Sequence, residues 1–142
     1  MATFTATKAS AGNTAYHHDL AGVQHTIYSS YTMTAAPAAN DVYQMLRVPA
    51  NARITAVTLK STDIDTGGSP SIVLDVGDTG DTDRLIDGAT IGQAGGTSSA
   101  LVSSTGQFYQ YTSETVISVL VQAGPATGAA GTLELSVSYV LQ

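Results

Sequence analysis

Between Thr132 and Leu141 every second residue is apolar: Leu133, Leu135, Val137, Tyr139 and Leu141 alternate with Thr132, Glu134, Ser136 and Ser138. Successive side chains of a strand point to opposite faces, so this period of two predicts a strand with one face in a core and the other in solvent. The same period recurs upstream. Val23, Ile27, Tyr31 and Met33 fall on one side of a long first strand, with Gln24, Thr26, Tyr28 and Thr32 on the other. Asp41–Val48 reads as a second strand, stopped by Pro49, whose missing N–H cannot join a ladder. Arg53–Ser61 and Ser71–Val76 follow, and Ala100–Ser103, Gln107–Tyr111, Thr115–Gln122 and Thr132–Leu141 bring the expected total to about eight strands.

No segment sustains a helical period of three to four residues. The expected architecture is therefore all-β, a single-domain antiparallel β-sandwich, jelly-roll-like. Thr115–Gln122 (TVISVLVQ) is almost continuously apolar, which predicts a central strand covered on both faces. The small-residue stretch Ala123–Gly131 predicts that it forms a hairpin with Thr132–Leu141. Residues 1–21 show no period and are rich in Ala, Thr and Ser, so they are expected to form an extended N-terminal arm, leaving 22–142 for the sandwich.

A chain of 142 residues fits one domain. Cysteine is absent, which removes disulfides, thiolate metal sites and cysteine nucleophiles together. Only 11% of residues are charged, against about 25% in an ordinary soluble domain. The cations are Lys8, Arg47, Arg53, Lys60 and Arg84, and the formal net charge is −6, so the electrostatic footprint of a nucleic-acid binder is missing. Met1–Ser10 has no apolar core of a signal peptide and no apolar run approaches the ~20 residues of a membrane span, so a soluble protein made in a cytoplasm is expected. A surface of Thr, Ser, Ala, Gly and Gln suits a protein that docks into an assembly.

Candidate sites are few. His17, His18 and His25, with Asp19, have ligand chemistry for zinc or nickel, but adjacent residues of a strand point apart, which favours solvated or interface histidines. Asp75, Asp78, Asp81, Asp83 and Asp87 fall in the stretch Gly77–Gly88 and its approach, read as an acidic loop in which Asp83–Asp87 forms one helical turn. Clustered carboxylates are candidate calcium ligands, yet the run lacks EF-hand spacing and a closing bidentate Glu, and Arg84 sits inside it. The favoured reading is a turn-forming loop, with no metal and no cofactor. No G-x-S-x-G, P-loop or HExxH motif supports catalysis, so the chain is read as non-enzymatic. The aromatics, Tyr16, Tyr28, Tyr31, Tyr43, Phe108, Tyr109, Tyr111 and Tyr139, suit core edges and subunit contacts better than a stacking platform.

Three stretches, Arg47–Asp65 (RVPANARITAVTLKSTDID), Ser71–Gly88 (SIVLDVGDTGDTDRLIDG) and Gly131–Leu141 (GTLELSVSYVL), resemble small head structural proteins of tailed phages, of the capsid decoration (cement) type. Shared features are a Pro-Ala-x-Ala-Arg turn into a strand, a Gly-Asp-rich loop ending in Asp-Arg-hydrophobic-Ile, and a final strand after Gly-Thr. The resemblance runs from Arg47 onward and implies binding to the outer surface of a major capsid protein lattice, commonly as a homotrimer, on the exterior of the virion. Its mechanism would be interface burial, bridging neighbouring capsomers. Within that reading Thr3, Phe4, Thr5 and Tyr16 of the arm, with Tyr28, Tyr31 and Tyr43, are the candidate capsid or protomer contacts. The alternatives are a head-fibre, neck or tail adhesion component using Tyr109 and Tyr111, and a calcium-dependent glycan-binding domain.

Overall fold

A computed structural model of the chain describes residues 1–6, 9–10 and 23–142. The alternating segments become strands β1 (Thr3–Thr5), β2 (Gln24–Thr32), β3 (Val42–Val48), β4 (Ala52–Ser61), β5 (Val73–Asp78), β6 (Asp81–Ala89), β7 (Gly96–Ser98), β8 (Thr115–Ala123) and β9 (Thr132–Leu141). They form a four-stranded sheet, β2-β9-β4-β7, and a five-stranded sheet, β1-β3-β8-β5-β6.

The antiparallel pairs are nested: β2 with β9, β3 with β8, β4 with β7 and β5 with β6. A long double-stranded ribbon rolled up on itself places alternate pairs in opposite sheets, and the contacts β4–β9 and β5–β8 close each sheet. This is the order of an eight-stranded jelly roll, the fold class expected from the pattern. The ninth strand, β1, lies parallel to β3 at the sheet edge.

The inward faces meet in one core. Ile117, Val119 and Val121 of β8 face Leu133, Leu135, Val137 and Tyr139 of β9, all fully buried. Where the alternation falters in sequence, the ladder is bulged. A register shift between Gln44 and Leu46 lets the adjacent residues Met45 and Leu46 both face inward, and one between Ile54 and Ala56 explains the three-residue step from Ile54 to Val57.

Four expectations fail. β8 and β9 do not form a hairpin; they lie in opposite sheets, and Ala123–Gly131 crosses the top of the sandwich between them. The acidic stretch is no loop with a helical turn but the β5–β6 hairpin, Asp83–Asp87 lying within β6. Gln107–Tyr111 runs beside the start of β4 through single bonds such as Phe108 N to Ile54 O (3.0 Å) and Tyr111 N to Ala52 O (2.9 Å), but the left-handed backbone of Phe108 (φ 60°) prevents a continuous strand. Ala100–Ser103 leads into a turn closed by Gly106 N on Val102 O (2.9 Å), while Val102 N donates to Leu85 O (3.0 Å) and so covers part of the β6 edge.

Asp65 fastens the connections at one end. Its fully buried carboxylate accepts backbone N–H groups from Ser71 (2.6 Å), Ile72 (3.1 Å), Ala126 (3.0 Å) and Thr127 (2.9 Å), joining the turn before β5 to the crossing between β8 and β9. Burial alone would raise its pKa. The four donors outweigh that and hold the carboxyl well below the ordinary carboxylate range.

Candidate functional site

The N-terminal contact candidates come together on the outer edge of the five-stranded sheet. Asp41 accepts from Ala38 N and Ala2 N (both 2.9 Å), which fixes the chain just before β1. Thr3, Phe4 and Thr5 then register against Val42, Tyr43 and Gln44, and Ala6 N donates to Gln44 O (2.7 Å). Phe4 stacks on Tyr43 with centroids 4.8 Å apart and 14° between planes, and Tyr31 tilts against Tyr43 at 5.4 Å.

The first residues of the expected arm thus add a strand to their own domain. Tyr43, expected at an interface, is 2% exposed and belongs to the core, because Phe4 and Tyr31 cover it. Burial first, and the carboxylate of Asp41 second, push its hydroxyl up to about 12. Thr3 and Thr5 are exposed and Tyr31 is half-buried. Tyr16, His17 and His18 lie outside the described residues.

Tyr28 sits apart from this cluster, 54% exposed on the outer face of the four-stranded sheet. Its hydroxyl donates to Glu134 (2.5 Å), whose other oxygen pairs with Lys60 (2.5 Å). Hydroxyls fill the same face, Thr26 bonding Ser138 (2.8 Å) and Thr58 bonding Ser99 (2.9 Å). Such a face is wettable without being strongly charged. His25, on the edge strand, lies 5.7 Å from the Tyr139 ring.

The candidate calcium carboxylates serve the β5–β6 hairpin. Asp78 accepts from Gly80 N (2.8 Å), Asp81 N (3.1 Å), Arg84 Nε (2.7 Å) and the Tyr111 hydroxyl (2.9 Å). Burial opposes its charge, but Arg84 and Tyr111 win and its pKa is lowered. Asp75 accepts Gly88 N (2.8 Å). Its pKa is raised by burial, with the carboxylates of Asp87 and Asp83 adding to the rise. Asp81 is raised foremost by its hydrogen bond with Asp83. Among the described residues no three His, Asp or Glu side chains are arranged to hold a metal ion.

Arg84 lies 3.9 Å above the Tyr109 ring, which meets Tyr111 edge-on at 4.9 Å. These rings border a shallow cleft of about 280 Å³ that Thr112, Ser113 and Thr115 complete. Tyr111 is buried and its hydroxyl is held far above its usual range, by desolvation before the Asp78 charge, so it acts as a donor and not as a nucleophile.

A second concavity, not anticipated from the sequence as a surface, lies on the outer face of the five-stranded sheet. It is a groove of about 300 Å³ lined by Met1, Val42, Gly77, Thr82, Ser118 and Leu120 among others. Its signal was the unbroken apolarity of β8. The inner face of that strand is covered, whereas Val116, Ser118 and Leu120 on the outer face are only half-buried, so the expected double cover is incomplete within the described residues.

No family model and no curated protein matches the chain. Among solved structures, a chain in the capsid of Ralstonia phage GP4 is similar to it at 33% identity over 99% of both chains, with a TM-score of 0.88. A chain in the capsid asymmetric unit of cyanophage Pam1 is 33% identical over 90% of this chain and 91% of that one, with a TM-score of 0.77. A chain in the acid-stable capsid of Helicobacter pylori bacteriophage KHP30 shares the fold, with a TM-score of 0.60 at 16% identity over 86% of this chain and 90% of that one.

Proposed function

We propose that this chain, which belongs to the family of phage capsid structural proteins represented in the GP4 and Pam1 particles, is a decoration (cement) protein. It binds the outer surface of a lattice of major capsid protein, self-associates as a homotrimer and bridges neighbouring capsomers. Separating the capsomers would then expose the surface it buries, and attachment at several points slows its loss.

The observation that carries this reading is a self-contained jelly roll that corresponds end to end to one chain of a capsid particle. Its polar chemistry supports the same view, because the best-organised ionisable groups, Asp65, Asp78 and Arg84, are consumed in holding loops and a hairpin together. Among the described residues, the sequence-derived contacts at or partly at the surface are Thr3, Phe4, Thr5, Tyr28 and Tyr31.

The test is to mix purified protein with capsids of the same particle assembled without it. Saturable binding at near-lattice stoichiometry is expected, with a rise in capsid melting temperature. Absence of binding would refute the reading. A few copies per particle would instead favour the head-fibre, neck or tail role, for which the Arg84–Tyr109–Tyr111 cleft is the feature to examine.

A further inference from the structure

The two sheets end in the strands β1, β6, β7 and β2. A free sheet edge offers unpaired N–H and C=O groups to any passing strand, and proteins blunt such edges by shortening, bulging or covering them. Three of the edges are blunted in this way. β1 and β7 have only three residues each. The ladder of β6 with β5 is broken by two register shifts, and Val102 N bonds Leu85 O on its outer side (3.0 Å). β2 differs on every count: it has nine residues, pairs with β9 from Gln24–Val140 to Thr32–Thr132 without a shift, and contains no Pro, Asp, Glu, Lys or Arg.

The phase of the β2–β9 ladder decides which backbone groups are free. Met33 N donates to Gly131 O (2.7 Å), one step beyond the Thr32–Thr132 pair, and in an antiparallel ladder alternate residues turn both backbone groups to the same neighbour. His25, Ile27, Ser29 and Tyr31 therefore bond β9, whereas Gln24, Thr26, Tyr28, Ser30 and Thr32 turn their N–H and C=O groups outward. No backbone bond joins these five to another described residue, and their side chains are exposed. Apolar surface lies behind the edge, where half-buried Tyr31 meets Phe4 of β1 with ring centroids 6.2 Å apart.

Such an edge is matched by an extended strand of similar length. On a second copy of this chain the one described edge that is as long and unbroken is β2 itself. Two β2 edges running antiparallel about a two-fold axis present outward N–H and C=O groups to each other in the same alternating phase. Charge favours the match. The chain carries a formal net charge of −6, yet β2 brings no acidic side chain, and Glu134 beside it on β9 is engaged by Lys60 and Tyr28.

We infer that β2 is a self-association edge, at which the β2 of a second copy adds antiparallel and joins the sheets β2-β9-β4-β7 of two molecules into one. A two-fold contact closes at two copies, so it goes beyond the threefold association of the decoration reading and ties one trimer to the next on a particle. It does not require that reading, because the edge is present on the free protein.

The absence of cysteine from the sequence allows a direct test. Thr26→Cys, Tyr28→Cys and Ser30→Cys variants of the full-length protein are oxidised in concentrated solution and, separately, on capsids. Thr58→Cys is the control, in the same row of the same face but on the interior strand β4. A residue at the two-fold axis lies opposite its twin, within the roughly 4.4–6.8 Å Cα separation that a disulfide spans. At least one edge variant is expected to form a covalent dimer at least tenfold faster than the control. Adding proline at a second outward position, Ser30→Pro or, beside Ser30→Cys, Thr26→Pro, removes an outward N–H and spares the β9 ladder, and should slow that dimer at least tenfold. Circular dichroism and melting check the fold, and lysine replaces proline at the same position if the proline variant does not fold.

If no edge variant outpaces the control in either setting, the inference is overturned. Slow amide exchange at Thr26, Tyr28 and Ser30 in dilute, unlinked protein also overturns it, because the chain then covers its own edge. Protection of those amides on capsids without linked pairs does the same, because another capsid chain then occupies the edge. If the parent protein does not bind capsids, the decoration reading alone has failed, and linkage in free solution still decides this one.

Discussion

Single side chains fix the connections of this fold more than its strands, and Asp65 does so most economically. Its carboxylate takes four backbone N–H groups from two segments far apart in sequence. Asp65→Asn keeps the size but turns one acceptor into a donor facing donors, and the expected loss is about 3 kcal/mol or more in chemical denaturation. The pH dependence follows from the sign of its shift. A carboxyl whose pKa is lower in the folded state stabilises above its unfolded value, near 4, and that contribution is lost as pH falls below it. The denaturation midpoint should therefore drop between about pH 4 and pH 2 in the parent and drop less in Asp65→Asn. The Gly, Ser and Pro of Asp65–Pro70 (DTGGSP) suggest a turn, but they do not identify Asp65 as the clamp. Nothing local distinguishes it from the other aspartates, because two of its donors, Ala126 and Thr127, come from the other end of the chain.

Among the elements, the β5–β6 hairpin depends on a close approach that only glycine permits. A Cβ on Gly77 would collide with the backbone carbonyls of Asp81 and Thr82, so Gly77→Ala should cost about 1–3 kcal/mol and disorder the tip that carries Asp78. Amide exchange accelerating at Asp81–Arg84, with the rest of the sandwich protected, would report it. β1 is the complementary case, an added strand held by backbone bonds to β3 and by Phe4 on Tyr43. Removing residues 1–6 should leave the jelly roll folded but lower its stability by about 1–3 kcal/mol, measured by urea denaturation, and expose Tyr43 to a collisional quencher. Strands with clean alternation, β2 and β9, were legible from sequence because burial of one face is a local property. The partnership of β8 was not. Sequence proximity suggested a hairpin with β9, whereas nested pairing sends the two strands to opposite sheets, a choice made by the whole topology. The hairpin of β5 and β6 was hidden because register shifts at Leu74/Val76 and Val76/Asp78 blur its alternation into what reads as an acidic loop.

For the whole molecule, the nested pairing sets a schedule as well as a shape. Gln24 registers with Val140 and Thr32 with Thr132, and β9 stands between β2 and β4, so β2 has no partner in the four-stranded sheet until β9 is made. Contacts this distant in sequence are reached slowly, and refolding from denaturant is expected on a millisecond-to-second scale, with substitutions in β9 such as Leu135→Ala destabilising the product by about 2–5 kcal/mol. During synthesis the hydrogen-bonding edges of β2 and β4 that β9 will occupy stay unpaired until Thr132–Leu141 has left the ribosome. A cell making many copies at once therefore carries a standing population of half-sheathed chains, and the hydroxyl-rich, nearly uncharged character of β2 keeps those waiting edges hydrated without giving them the charge that would repel one another.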